Sequence, residues 1–233
     1  MTEVAKWQVF PRRAGDADLE GFAAELVPAR PIRIVLSGEQ WGPEAWDIIA
    51  SLKAGLELNF LSIRGAVIGD PGMMALVKCP ALLSIHYLGL ERCGITNTGV
   101  RFLVQSGPFD KLKSLSLCNR DGIESGPPNI IDDTGAIALA SSCKLPVLED
   151  LDLWNTEVAD GGFTAIAVSE WLPELDSVHA WGTKLTAVGA SRIKDIAAQR
   201  SRARQAAGMK PFRWTCYHSD FDNRVISWSD VPS

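Results

Sequence analysis

Apolar residues recur along this chain with a long, fixed period. Leu61 and Ile63 flank Ser62 and are followed by Ile68, Gly72 and Leu76. Adding 27 to each number gives Leu88, Leu90, Ile95, Gly99 and Leu103, and a further 27 gives Leu115 and Leu117. The register then slips by 9, because Ile131, Gly135 and Leu139 come 36 after their predecessors. The step of 27 resumes through Leu151, Leu153, Val158, Gly162 and Ile166 to Val178, Ala180, Leu185, Gly189 and Ile193. Backwards from Leu61 it reaches Ile34, Leu36, Trp41, Ala45 and Ile49, then a weaker set at Trp7, Val9, Ala14 and Phe22. Within each unit, apolar alternation predicts a short strand. A small polar residue (Cys93, Asn129, Thr156 or Thr183) follows, placed to bond backbone groups where the strand ends. Glu39 and Ala66 stand there in the first two coils, which are expected to turn differently. A GxxxL stretch then predicts a helix. One such coil cannot bury both its strand leucines and its helix face, but neighbours stacked about 4.8 Å apart can.

The units Ile85–Leu103 and Leu148–Gly162 resemble the leucine-rich repeat of the cysteine-containing, ribonuclease-inhibitor-like kind, and the resemblance extends over residues 31–200. It implies an α/β fold: a leucine-rich-repeat solenoid, a right-handed α/β horseshoe arc with a parallel sheet on its concave face. The whole chain, 1–233, is expected to form one domain, with 1–30 and 201–233 as irregular terminal caps. Trp7, Val9, Phe10 and a helix over 19–27 would close the first coil. A helix over 187–207 and an aromatic tail (Phe212, Trp214, Tyr217, Phe221, Trp228) would close the last, since a solenoid must cover its exposed ends.

Strand residues between the core positions point away from the core and form columns, one residue per coil. The middle column reads Val35, Ser62, Gly89, Ser116, Asp152, His179. The column before it reads Arg33, Phe60, Tyr87, Ser114, Asp150, Ser177, and the one after it Ser37, Arg64, Glu91, Cys118, Trp154, Trp181. Exposed aromatics carry much of the energy of protein interfaces. Trp154, Trp181, Asp152, Asp150, His179, Tyr87, Arg92 and Phe60 are therefore candidate partner-binding residues, with cover by the tail or the insertion as the alternative. The insertion spans 119–128, is rich in Gly and Pro, and adds Asn119, Arg120 and Asp121 to the candidates. Acidic residues gather in the later coils (Glu149, Asp150, Asp152, Glu157, Asp160, Glu174, Asp176), as would suit a partner with a basic patch. The alternative is an ordinary solvated face.

Composition and charge narrow the function. The chain is 46% apolar and 22% charged, with net charge −5, which is a folded, soluble composition. The acidic balance argues against nucleic acid, and Arg200, Arg202 and Arg204 read as a solvated helix face. No secretory signal and no apolar run of spanning length is visible, so no membrane role is expected. The 5 cysteines, without metal-binding spacing, suggest free thiols in a reducing cytoplasm, with no metal and no cofactor. Ser116, Asp152 and His179 share a column in hydrolase order, yet Asp stands in the middle where His is required. A His179–Asp152 surface pair is expected instead, Cys118 reads as an ordinary thiol, and no enzyme is expected. The resemblance implies a stand-alone protein-binding module, with masking of a toxin or enzyme (an inhibitor or immunity protein) as one sub-case. An adaptor subunit, such as one in a ubiquitin ligase, is the alternative, and a hydrolase using Ser116 or Cys118 the minor one.

Overall fold

Each repeat unit becomes one strand and one helix. The computed structural model describes residues 8–9, 16–28, 30–38, 41, 43–106, 109–120, 126–209, 213–216 and 226–227. The chain runs β1 (Gln8–Val9), α1 (Asp16–Ala24), β2 (Pro31–Ser37), α2 (Pro43–Ala50), β3 (Glu57–Arg64), α3 (Gly69–Leu76), β4 (Tyr87–Glu91) and α4 (Asn97–Ser106). It continues with β5 (Ser114–Ser116), α5 (Asp133–Ala140), β6 (Asp150–Asp152), α6 (Asp160–Val168), β7 (Ser177–His179), α7 (Ala187–Ala206), β8 (Arg213–Cys216) and β9 (Ile226–Ser227). The strands form a single sheet in sequence order, parallel from β1 to β8 and antiparallel at β9. With helices packed along one side and the sheet left open, this is the α/β solenoid arc that the repeat predicts.

The pairing register reproduces the predicted columns. Leu61, Leu88, Leu115, Leu151 and Val178 are successive lateral partners, all fully buried. They join the helix residues Leu76, Leu103, Leu139 and Ile166 in one continuous core. Each such side chain contributes roughly 1.5–3 kcal/mol on burial. In β3 an extra residue, Asn59, shifts the register against β2, so the coil spacing is 26 before the bulge and 27 after it.

A second ladder runs along the helix N-termini. Asp70 accepts hydrogen bonds from the backbone N–H of Thr96 and Gly99, both at 2.9 Å, and from the Thr96 hydroxyl. Asp133 accepts from the Ala159 N–H at 2.7 Å, and Asp160 from the Thr186 N–H at 2.7 Å and the Thr186 hydroxyl. Asn97 exchanges hydrogen bonds with Asp132 at the intervening step. The starts of α4, α5, α6 and α7 thus find acceptors on the coil before them. The repeated helix glycine follows from this: a Cβ at Gly189 would lie 2.0 Å from Asp160 Oδ1.

The ends differ from expectation. The first helix is Asp16–Ala24 rather than 19–27. The tail is not wholly irregular, for β8 extends the parallel ladder beyond β7 and pairs Trp214 with Val178. An open edge on β7 would leave a row of backbone groups unpaired, and the tail supplies the missing strand. Trp7, Phe10, Phe212, Tyr217, Phe221 and Trp228 lie outside the described residues.

Candidate functional site

The face of the sheet turned away from the helices, the concave face of the arc, carries the predicted columns. Phe60 and Tyr87 stack with ring centroids 4.3 Å apart and planes 6° from parallel, and the Arg33 guanidinium lies 3.5 Å above Phe60. Gly89 makes room for this: a Cβ there would meet the Tyr87 ring at 2.9 Å. Trp154 and Trp181 meet at 5.5 Å with rings tilted by 39°. All four aromatic residues are partly exposed.

Only the ends of the middle column, Val35 and His179, are partly exposed as expected; its central members are buried. Ser62, Ser116 and Asp152 are each less than 5% exposed. These short side chains lie among the longer ones of the flanking columns, and Asp152 also meets Arg120. Glu91, which was not singled out as a binding residue, is buried as well and pairs with Arg64 at 3.3 Å. Burial pushes the Glu91 carboxyl up against the opposing pull of Arg64. The signal available for it was Arg64 beside it in the same column.

His179 corrects the expected pairing. Its Nε2 sits 3.0 Å from Asp150 Oδ2, one column across, while Asp152 takes Arg120 NH2 at 3.0 Å. Ser116 donates to Cys118 Sγ at 3.3 Å and to Asp152 at 3.4 Å, so His179 is not poised to activate it. Burial raises the Cys118 thiol to about 11, consistent with an ordinary thiol.

The hydrogen bond that His179 donates to Asp150, against the cost of burial, raises the His179 pKa above its ordinary value. Burial pushes Asp150 up, but His179 and the Ser177 and Ser114 hydroxyls outweigh it and hold the carboxyl low. The ion pair therefore stabilises fully only between about pH 4 and 6.5, the ordinary Asp and His values. That contribution is lost as pH rises through the raised His179 pKa or falls through the lowered Asp150 pKa. We expect Asp150→Asn to return the His179 NMR titration toward its ordinary midpoint. Asp152 also raises His179 and Arg120 lowers it, and both remain in that variant. An unmoved midpoint would contradict the assignment.

The insertion is tied down at both described ends. Asn119 is not offered to a partner. Its amide donates to Asn129 O at 2.8 Å and Asn155 O at 2.9 Å, and its Oδ1 accepts from Asn129 N at 2.7 Å. Arg92, at φ 48°, donates to Gly126 O at 3.2 Å, and Gly94 N–H donates to Pro127 O at 3.0 Å. Gly126, at φ 81°, approaches so closely that a Cβ would lie 2.4 Å from Gly65 backbone. The loop thus meets the concave face at Arg120, beside Trp154, and the turns at the strand ends at Gly126, beside Gly65. Asp121 lies outside the described residues.

Part of the acidic cluster is paired within the chain. Glu149 pairs with Lys113 at 2.7 Å, Glu157 pairs with Lys184, and Asp160 serves the helix ladder, so much of the acidic excess is answered within the chain. Arg200 donates to Ile166 O and Ala167 O, at 3.3 and 3.2 Å, and to Leu172 O, while Arg204, 7% exposed, donates to Pro173 O. Arg200 completes the C-terminal end of α6 and Arg204 holds the segment after it, so neither is part of the expected solvated face. Burial, with Arg204 nearby, brings Arg200 down to about 10.

Among the described residues, no group of three or more His, Cys, Asp and Glu is placed to hold a metal ion. No helix among them is long and apolar enough to cross a membrane. Residues 58–77, covering β3 and α3, match the family model described as Leucine Rich repeat, which supports a leucine-rich-repeat protein. Domains of this kind generally bind proteins. No curated protein matches the chain.

Proposed function

We propose that the chain is a protein-binding module that holds its partner on the concave face, through Trp154, Trp181, Tyr87 and Phe60. The observation that carries this reading is the pair of aromatic contacts, 5.5 and 4.3 Å, standing on one sheet face away from the core. Partly exposed aromatics held rigid by a sheet lose little entropy on binding and bury much area. Asp150 and His179 flank the tryptophan pair as polar contacts. Masking of a toxin or enzyme is the sub-case we favour, and its mark is a stoichiometric complex in which the partner's activity is lost. Free thiols at Cys79, Cys93 and Cys118 support a reducing compartment.

The test begins with recovery of the partner from the native source, followed by titration of the purified pair. Trp181→Ala and Trp154→Ala are each expected to weaken binding by about 2 kcal/mol or more, roughly thirtyfold. The convex-side control Ile137→Ser, at a residue 45% exposed on α5, should bind like the parent. Parent-like affinity in both tryptophan variants would overturn the reading.

A further inference from the structure

Asp152 and Trp154 are held by the chain in a way that suits one chemical group. The Asp152 side chain is 6% exposed, and its Oδ1 accepts from the Trp154 N–H at 3.1 Å. Its Oδ2 meets Arg120 NH2 at 3.0 Å, and the Arg120 Cζ lies 5.2 Å from the Trp154 ring centroid. A carboxylate beside an indole face is the combination that recognises a planar guanidinium. Arg120 occupies this place loosely. It brings a single nitrogen within ion-pair distance, stands toward the outer limit of a cation–π contact, and its side chain is 48% exposed. Asn119, the residue before it, is anchored on Asn129 and Asn155, so Arg120 reaches the site from a fixed base. Trp154 Nε1 is buried without a hydrogen-bond partner.

We propose that Asp152 and Trp154 form a subsite for an arginine side chain of the protein partner, and that Arg120 fills this subsite in the free protein. This rests on the concave face being the binding face. A buried carboxylate needs a counter-cation at all times. The insertion provides one until a partner arginine, free of the Asn119 anchor, approaches from solvent and displaces it. Arg120 is then an internal competitor, and the apparent affinity of the site is reduced by the fraction of molecules in which Arg120 is seated.

The test uses N-acetyl-arginine amide, with N-acetyl-lysine amide as a control of equal charge, titrated by tryptophan fluorescence and calorimetry. Arg120→Ala is expected to bind the arginine derivative at least about tenfold more tightly than the parent. Arg120→Gln, which keeps a neutral donor near Asp152, should behave alike and serves if the alanine variant does not fold. Adding Asp152→Asn to whichever variant is used should abolish the gain, and the lysine derivative should bind more weakly throughout. The inference is overturned if the Arg120 variants show no gain, if the gain survives Asp152→Asn, or if the lysine derivative binds equally well. Failure here with intact partner binding through Trp181 would remove this subsite alone. Parent-like partner affinity in the tryptophan variants would instead remove the broader reading.

Discussion

Asn129→Leu is expected to destabilise the protein by about 4 kcal/mol or more, lowering the melting temperature by about 8–16 °C. Asn129 is 1% exposed, and its side chain makes four hydrogen bonds to backbone. Oδ1 accepts from Cys93 N at 3.0 Å and Ile95 N at 2.9 Å, while Nδ2 donates to Leu90 O at 2.6 Å and Leu117 O at 2.9 Å. One amide thus completes the strand ends of two adjacent coils. Leucine has about the same size and can answer none of the four groups. Each buried group left unpaired costs about 1–3 kcal/mol, and water entering the site would recover part of the sum. Asn129 is also where the insertion rejoins the repeat, so faster proteolysis of 119–128 should accompany the loss. A loss below about 1 kcal/mol in chemical denaturation would show that the four bonds are not the turn's support.

Leu153→Ala is expected to cost about 2–5 kcal/mol. Leu153 is fully buried, and its N–H donates to His179 O, while on the other side Leu117 N–H donates to Asp152 O. Removing its side chain leaves a void between coils that touch only their neighbours. Amide protection should therefore fall in β5 and β7 as well as β6, measured by hydrogen exchange. An unchanged melting temperature would contradict the stacked-core assignment.

The strand columns were legible because a repeat phase fixes lateral neighbours before any side chain is considered. Phe60 beside Tyr87 and Trp154 beside Trp181 follow from counting alone, and so do the polar turn positions. Thr156 and Thr183 bond Leu153 O and Ala180 O, at 2.7 and 2.8 Å, as the pattern implied. What stayed hidden depends on aperiodic parts of the chain. Arg120 comes from the insertion and pairs with Asp152, while His179 pairs with Asp150. Arg200 and Arg204 lie on a helix longer than any in the repeats and reach back to carbonyls of α6 and of the segment that follows it. Their spacing in sequence looks solvated because only the fold brings α6 within reach. Asn119 reads as a loop residue, yet the return of the chain at Asn129 places a backbone amide against it.

The aspartate ladder gives the arc a direction in time. Asp70, Asp133 and Asp160 each serve a helix start 26 residues further along the chain. A ribosome releases the carboxylate first and the amides that need it later. The later coils that use this ladder therefore emerge onto a template already displaying an acceptor, although Asn129 and Arg200 complete coils made before them.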